Sequence, residues 1–313
     1  MSPLEFFLQQ SYIGLTIGAY YALIALGYTM VYGIIELINF AHGDLFAFGF
    51  LISLTLFGLF GLQAPLEPMQ IIIFAPIILL LTMVLAGLLN MGINRIAYRP
   101  LRNAPRLAPL ITAVGVSFML ENIFALWYTP GQINYPAFIP SVNILRDWFH
   151  VDTTIFIRSI DLLPVVVPIP LMIALTVFVA RTRIGKAMRA TAQDRDAARM
   201  MGIDVERTIA LTFFIGGALA GAAGMIVGLF LNTGRYLMGF EAGLFAFTAA
   251  VLGGIGNIRG ALLGGFAIGM IRVYSDTYLA PEWTRSVIFI MLILVLVFFP
   301  SGLLGSTTSI EKA

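Results

Sequence analysis

The sequence predicts an all-α fold, a polytopic transmembrane helical bundle of about eight or nine spans. Three observations predict it. Of the 313 residues, 59% are hydrophobic and only 11% are charged, a balance foreign to soluble domains. Lys, Arg, Asp and Glu are missing from the stretches between Glu5 and Glu36, Asp44 and Glu67, Glu67 and Arg95, Asp161 and Arg181, Arg207 and Arg235, and Arg285 and Glu311. A bilayer core asks for roughly 20 apolar residues per helix, so each stretch can hold a span. Finally, eleven of the 18 Lys and Arg fall in two short loops, and Arg95 is the first basic residue of the chain.

Taken in order, spans are expected over residues 12–35, 40–61, 70–91, 110–128, 162–180, 208–231 and 284–304. Region 231–284 reads as two spans, or as a re-entrant piece and one span, because a Gly-rich stretch ends at Arg259 and Arg272 and Asp276 interrupt the next. The first stretch is twice the length of a signal h-region and lacks preceding basic residues, so it is expected to stay as a helix. One transmembrane domain covers residues 1–313.

Loop 92–109 carries Arg95, Arg99, Arg102 and Arg106 with no acid, and 181–207 carries seven basic residues against four acidic ones. Both are expected on the cytoplasmic side. Two spans between them keep the loops on one side and put 130–161 outside. With three spans before Arg95, the amino terminus lies outside, and nine spans bring the carboxyl terminus inside. Glycine pairs four apart (217/221, 224/228, 256/260, 260/264, 265/269) suit close helix packing; flexible helices lining a path are the other reading.

No chemistry of a soluble enzyme is legible. Gly253-Gly-Ile-Gly-Asn-Ile-Arg-Gly260 lacks the Gly-Lys-Ser/Thr ending of a nucleotide loop. His42 and His150 are far apart and no Cys occurs, so neither a metal site nor a thiolate is indicated, no cofactor is expected, and nothing points to nucleic acid. A charge at the bilayer centre costs roughly 2.5–3.5 kcal/mol on insertion scales, which singles out Glu121, beside Asn122, as a neutral acid, an interhelical hydrogen-bonding group or a pathway residue. Asn39, His42 and Asp44, with Gly43, cluster at the cytoplasmic start of the second span, lining an exit or simply joining two helices. No second half of the sequence repeats the first.

Segment 181–207 is a polar helical island. Asp194 can cap a short helix and Gly202 suits a left-handed helix end. Ala197, Ala198 and Met201 form a small apolar face flanked by Arg195 and Arg199, suited to a groove on a partner or to a lipid surface; Arg189 is a further candidate of the same segment for contact with a partner.

Here the sequence resembles a family. Ala197-Ala-Arg-Met-Met-Gly202 looks like the coupling segment of ABC-importer permeases. Tyr32-Gly-Ile-Ile-Glu-Leu-Ile-Asn-Phe-Ala-His-Gly-Asp44, Ala97-Tyr-Arg-Pro-Leu-Arg102 and Pro105-Arg-Leu-Ala-Pro-Leu-Ile-Thr112 are similar to LivH-type branched-chain amino acid permeases, in the same order. The resemblance implies a BtuC/RbsC-like permease fold in the bacterial inner membrane, with no ATPase site of its own. It implies as partners a second homologous permease subunit, two cytoplasmic ATPase subunits and a periplasmic amino-acid-binding protein, and substrates led by Leu, Ile and Val, then other hydrophobic amino acids, then urea or short amides. An ion-coupled secondary transporter is the main rival; it calls for coupling carboxylates, and only Glu121 is deep. A channel or an intramembrane enzyme fits less well. Single cysteines at Asn103 and Gln193 are expected to resist an impermeant thiol reagent in intact cells, and one at Asn143 to react; outside labelling of either of the first two overturns the topology.

Overall fold

The structure, a computed structural model, describes residues 2–35, 39–101, 104–105, 107–150 and 154–304. Glu36, Arg102, Asn103, Arg106 and Glu311, used above, lie outside the described residues. The helices are α1 (Pro3–Ile35), α2 (His42–Leu59), α3 (Pro68–Ile93), α4 (Leu107–Trp127), α5 (Leu163–Val166), α6 (Pro168–Arg181), α7 (Arg183–Gln193), α8 (Arg195–Met200), α9 (Val205–Leu231), α10 (Met238–Gly253), α11 (Ile258–Tyr278) and α12 (Pro281–Phe298). Seven helical stretches are long and apolar enough to cross a membrane, α5 and α6 forming one of them. With α10 and α11 this makes nine among the described residues, the upper end of the expected range. Region 231–284 is thus two helices; α10, at 16 residues, is about 24 Å long, shorter than the hydrocarbon core.

Helix starts follow local chemistry. Ser2 and Glu5 cap each other's backbone N–H at the head of α1, and Glu67 with Gln70 does the same for α3, where Pro68 needs no partner for its nitrogen. Asp204 Oδ1 accepts from Arg207 N at 2.9 Å, and Asn257 Oδ1 from Arg259 N at 3.0 Å.

α1 and α9 form the centre: 83% of the apolar window of each is buried, against 22% for α3 and 17% for α12. α3, α4, α6 and α12 turn Ile72, Leu80, Ile111, Leu126, Ile173 and Val297 outward, as a lipid-facing collar should. At one end of the bundle a two-stranded ribbon pairs β1 (Gln132–Asn134) with β2 (Thr233–Arg235) antiparallel. Beside it Phe138 stacks on Phe57 of α2, ring centroids 4.1 Å apart. Tyr135 hydrogen-bonds Ser53 at 3.1 Å, and burial holds its phenol above the ordinary value. On the opposite side the chain after α12 lies over the α10–α11 turn, Leu303 N donating to Leu252 O at 2.8 Å and Leu304 N to Gly253 O at 3.1 Å.

The contacts between helices are interchanged when α1–α3 are swapped with α9–α11. α1 on α11 corresponds to α9 on α3, α2 on α9 to α10 on α1, and α2 on α3 to α10 on α11, while α1 on α9 and α2 on α10 map onto themselves. The long pairs are antiparallel: Gly14 meets Met270 and Ala22 meets Gly265, as Thr82 meets Gly221 and Asn90 meets Gly217. The fold therefore holds an inverted repeat that the sequence does not display, so such a repeat is no mark of a secondary transporter here.

Glycine lets these helices touch. A Cβ on Gly269 would lie 2.3 Å from Gly18 Cα, one on Gly265 2.4 Å from Ala22 Cα, and one on Gly49 2.5 Å from Gly221 Cα. The glycine pairs serve packing as expected, except at Gly256. It sits in the α10–α11 turn at φ +91° with open space around it, because the helix ends before it. Gly269→Leu is expected to cost about 3 kcal/mol or more through overpacking, whereas Gly115→Leu, with nothing within 4 Å of the added Cβ, changes little. Thermal unfolding of the two variants in detergent checks the contrast.

Candidate functional site

Two helix starts meet inside the bundle. The chain leaves α1 at Ile35 and begins α2 at His42. Yet His42 packs beside Gly27, where an added Cβ would come within 2.3 Å of Nε2, and beside Gly216. Gly27 lies eight residues before the end of α1 and Gly216 eleven after the start of α9, which places His42 about 12–16 Å inside those ends at 1.5 Å per residue. The expected position at the cytoplasmic end of the span is therefore deeper than sequence suggested. On the far side, Gly43 lies between Gly239 and Gly243 of α10, a Cβ on it falling 2.3 Å from Gly239 O and 2.8 Å from Gly243 Cα. The first turns of α2 and α10 thus cross without side chains between them. Both present the positive end of a helix dipole, and each carries an acid in its first turn, Asp44 and Glu241.

Around this crossing polar side chains are buried: Asp44, which the Ser117 hydroxyl and Glu121 of α4, one turn apart, face, His42, whose ring lies near the Ile24 backbone, and Asn39. The Asn39 Oδ1 accepts from Tyr98 OH at 2.6 Å, and the His42 ring meets Tyr28 edge-on at 4.6 Å. The crossing is thus a polar cluster inside an otherwise apolar bundle. The structure thus gathers Asn39, His42, Gly43, Asp44 and Glu121. It turns Asn122 away: that side chain is exposed on α4 and donates to Phe118 O at 2.7 Å. Tyr98, Ser117, Gly239 and Gly243 were missed. A signal existed for the last two, whose four-residue spacing matches the packing pairs recognised elsewhere, and for Tyr28, which shares one helical face of α1 with Tyr20, Ile24 and Tyr32.

The polar island is α7 and α8. Thr182 Oγ1 accepts from Gly185 N at 3.0 Å. Gly185 lies against the Phe178 and Val179 carbonyls, so α7 folds sharply back from α6, and Arg189 donates to Val179 O. Asp194 caps α8 as expected, Oδ1 accepting from Asp196 N and Ala197 N at 2.9 Å each, and Gly202 takes the left-handed conformation at φ +79°. The expected single apolar face is divided. Ala198 is buried against the bundle while Met200 and Met201 are each 82% exposed, because α8 stops at Met200 and Met201 leaves its screw. Ala197 is half-buried between them. Sequence reading did not foresee the link behind α8: Arg195 Nη2 donates at 2.8 Å to Ile34 O, one of the carbonyls that the end of α1 leaves without an intrahelical partner.

Comparison with known proteins identifies the family. The family model described as the permease component of the branched-chain amino acid transport system matches residues 12–296. The high-affinity branched-chain amino acid transport system permease protein LivH of Escherichia coli (strain K12) is 40% identical over 303 residues, 96% of each chain. BraD of Pseudomonas aeruginosa, of the same description, is 40% identical over 309 residues, 97% of this chain and 98% of that protein. The xylose transport system permease protein XylH of Escherichia coli (strain K12) is 37% identical over 92 residues, 28% of this chain and 23% of that protein. No solved structure matches. Glu121→Gln, which keeps the shape of the side chain facing Asp44, is expected to leave ATP-driven uptake and its pH profile within about twofold of wild type; complete loss of transport in a normally inserted variant would point to proton coupling instead.

Proposed function

This chain belongs to the family of permease components of branched-chain amino acid transport systems, and on that premise we propose how it transmits ATPase work to the substrate. It is the multi-pass inner-membrane permease subunit of an ATP-driven ABC importer for branched-chain amino acids, and hydrolysis belongs to other subunits. The proposed assembly adds two cytoplasmic ATPases, a second homologous permease and a periplasmic amino-acid-binding protein. The ATPases dock on the α7–α8 island, with Met200 and Met201 as its apolar contact and Ala197, Ala198 and Gly202 shaping the turn that presents them. Asp194 and Arg189 hold the island's form.

The hydrogen bond from Arg195 to Ile34 O carries the reading. It ties α8 to the end of α1, and the next described residue, Asn39, belongs to the crossing. A shift of the island thus reaches Asn39, His42, Gly43, Asp44 and Glu121, which the proposal assigns to the translocation path. Selection of leucine, isoleucine and valine rests mainly on the binding protein, a view supported by the stretch shared with a xylose permease. Asn122 faces away from this path.

Met201→Glu places a charge on the docking face and is expected to lower ATPase co-purification or substrate-stimulated hydrolysis at least tenfold while insertion stays normal. Gly202→Val adds about 1–2 kcal/mol of left-handed strain and is expected to uncouple hydrolysis from uptake. Ala198→Glu acts differently, by opening the packing of α8. Normal hydrolysis and uptake by Met201→Glu in reconstituted vesicles would remove the docking role.

A further inference from the structure

A second charged site stands at the external end of α11. Arg272 and Asp276 lie one turn apart in the last third of that helix. The Arg272 guanidinium rests 5.7 Å from the ring centroids of both Tyr21 and Phe245. Its Nη1 donates to Tyr21 OH and, at 3.4 Å, to Tyr20 OH. Asp276 Oδ1 accepts from the Thr284 hydroxyl of α12. Each charge is therefore positioned by partners of its own. The two approach only to 3.8 Å, Nε to Oδ2, beyond hydrogen-bonding distance, and both remain accessible, 30% and 35% exposed.

We propose that Arg272 and Asp276 form a receiving subsite for a zwitterionic α-amino acid, the guanidinium taking its carboxylate and Asp276 its ammonium. A free amino acid carries both charges on one carbon, so its complement is a cation and an anion side by side that do not saturate each other. Among the described residues the hydrogen bonds of Arg272 engage Nη1 alone, while Nε faces Asp276 Oδ2 in a loose ion pair at 3.8 Å; as an incoming ammonium takes over Asp276, the Nε and Nη2 edge becomes the two-point donor that matches a carboxylate. The rings beside it continue inward. Tyr20 stacks on Phe46, centroids 6.3 Å apart and planes at 18°, and Phe46 is two residues beyond Asp44. These rings are buried and form a packed aromatic connection between this pair and the α2–α10 crossing. An uncharged solute such as urea gains nothing from such a pair.

The subsite rests on the amino-acid substrate assigned above, and the test separates the two. The complete complex, with both permeases, the ATPases and the binding protein, is reconstituted in vesicles, and uptake of labelled L-leucine is measured beside ATP hydrolysis. Leucine uptake by the wild-type complex establishes the substrate; its failure would remove the substrate reading and the subsite with it. Arg272→Lys keeps the charge and loses the two-point donor, and Asp276→Asn keeps the size and the Thr284 bond. Each is expected to lower the initial leucine uptake rate at least tenfold, while binding-protein-stimulated hydrolysis stays within twofold and thermal stability is unchanged. Uptake within twofold of wild type in both variants overturns the subsite. So does a parallel fall in uptake, hydrolysis and thermal stability, which marks the pair as a clamp between α1, α11 and α12.

Discussion

Backbone meeting backbone across glycine is the constraint on which the rest of this structure depends. In lipid, apolar side chains gain nothing by leaving their solvent, so helices are held by close packing and hydrogen bonds. Here α1 is flanked by α9, α10 and α11, and Gly18 against Gly269 and Gly27 against Gly216 remove the side chains that would hold them apart. The same device brings Gly43 onto Gly239, and only because those backbones touch can two helix starts cross within the bundle. Packing and the candidate path are therefore one feature seen from two sides.

The island and the crossing are joined by a helix end. The last carbonyls of α1 need partners from outside the helix, and Arg195 supplies one to Ile34. A cation at a helix carboxyl end also meets the favourable end of the dipole. The bond thus follows from ordinary helix chemistry, while its location gives it mechanical meaning. At the same end of the bundle Arg99 pairs with Glu206 at 3.1 Å, tying the segment after α3 to the start of α9.

Much of the fold was legible because lipid imposes a coarse rule. Charge-free windows located the spans. Asp194 and Gly202 could be read because capping and left-handed ends depend on a few adjacent residues. What sequence hid was long-range. The inverted repeat is a relation of contacts rather than of residues. His42 reads as the first residue of a span, and its depth is set by Gly27 and Gly216 on other helices. Ala198 and Met201 look like one face under an ideal helical screw, and part because α8 ends between them. The Arg272 and Asp276 pair was seen only as an interruption of hydropathy, since its meaning lies in Tyr20, Tyr21 and Thr284.

The pairing of α1 with α11 bears on how the protein is made. These helices contact one another closely although Gly18 and Gly269 lie far apart along the chain. At ~5–20 residues per second of synthesis, α11 emerges roughly 10–50 s after α1. Through that interval α1, with α9 one of the two most deeply enclosed helices of the finished bundle, must wait in lipid with the glycine face for α11 uncovered. Its designated partner carries Arg272 and Asp276 and falls short of a self-sufficient span. The insertion of α11 against a helix already in place is thus a late step of assembly, followed only by α12 among the described helices.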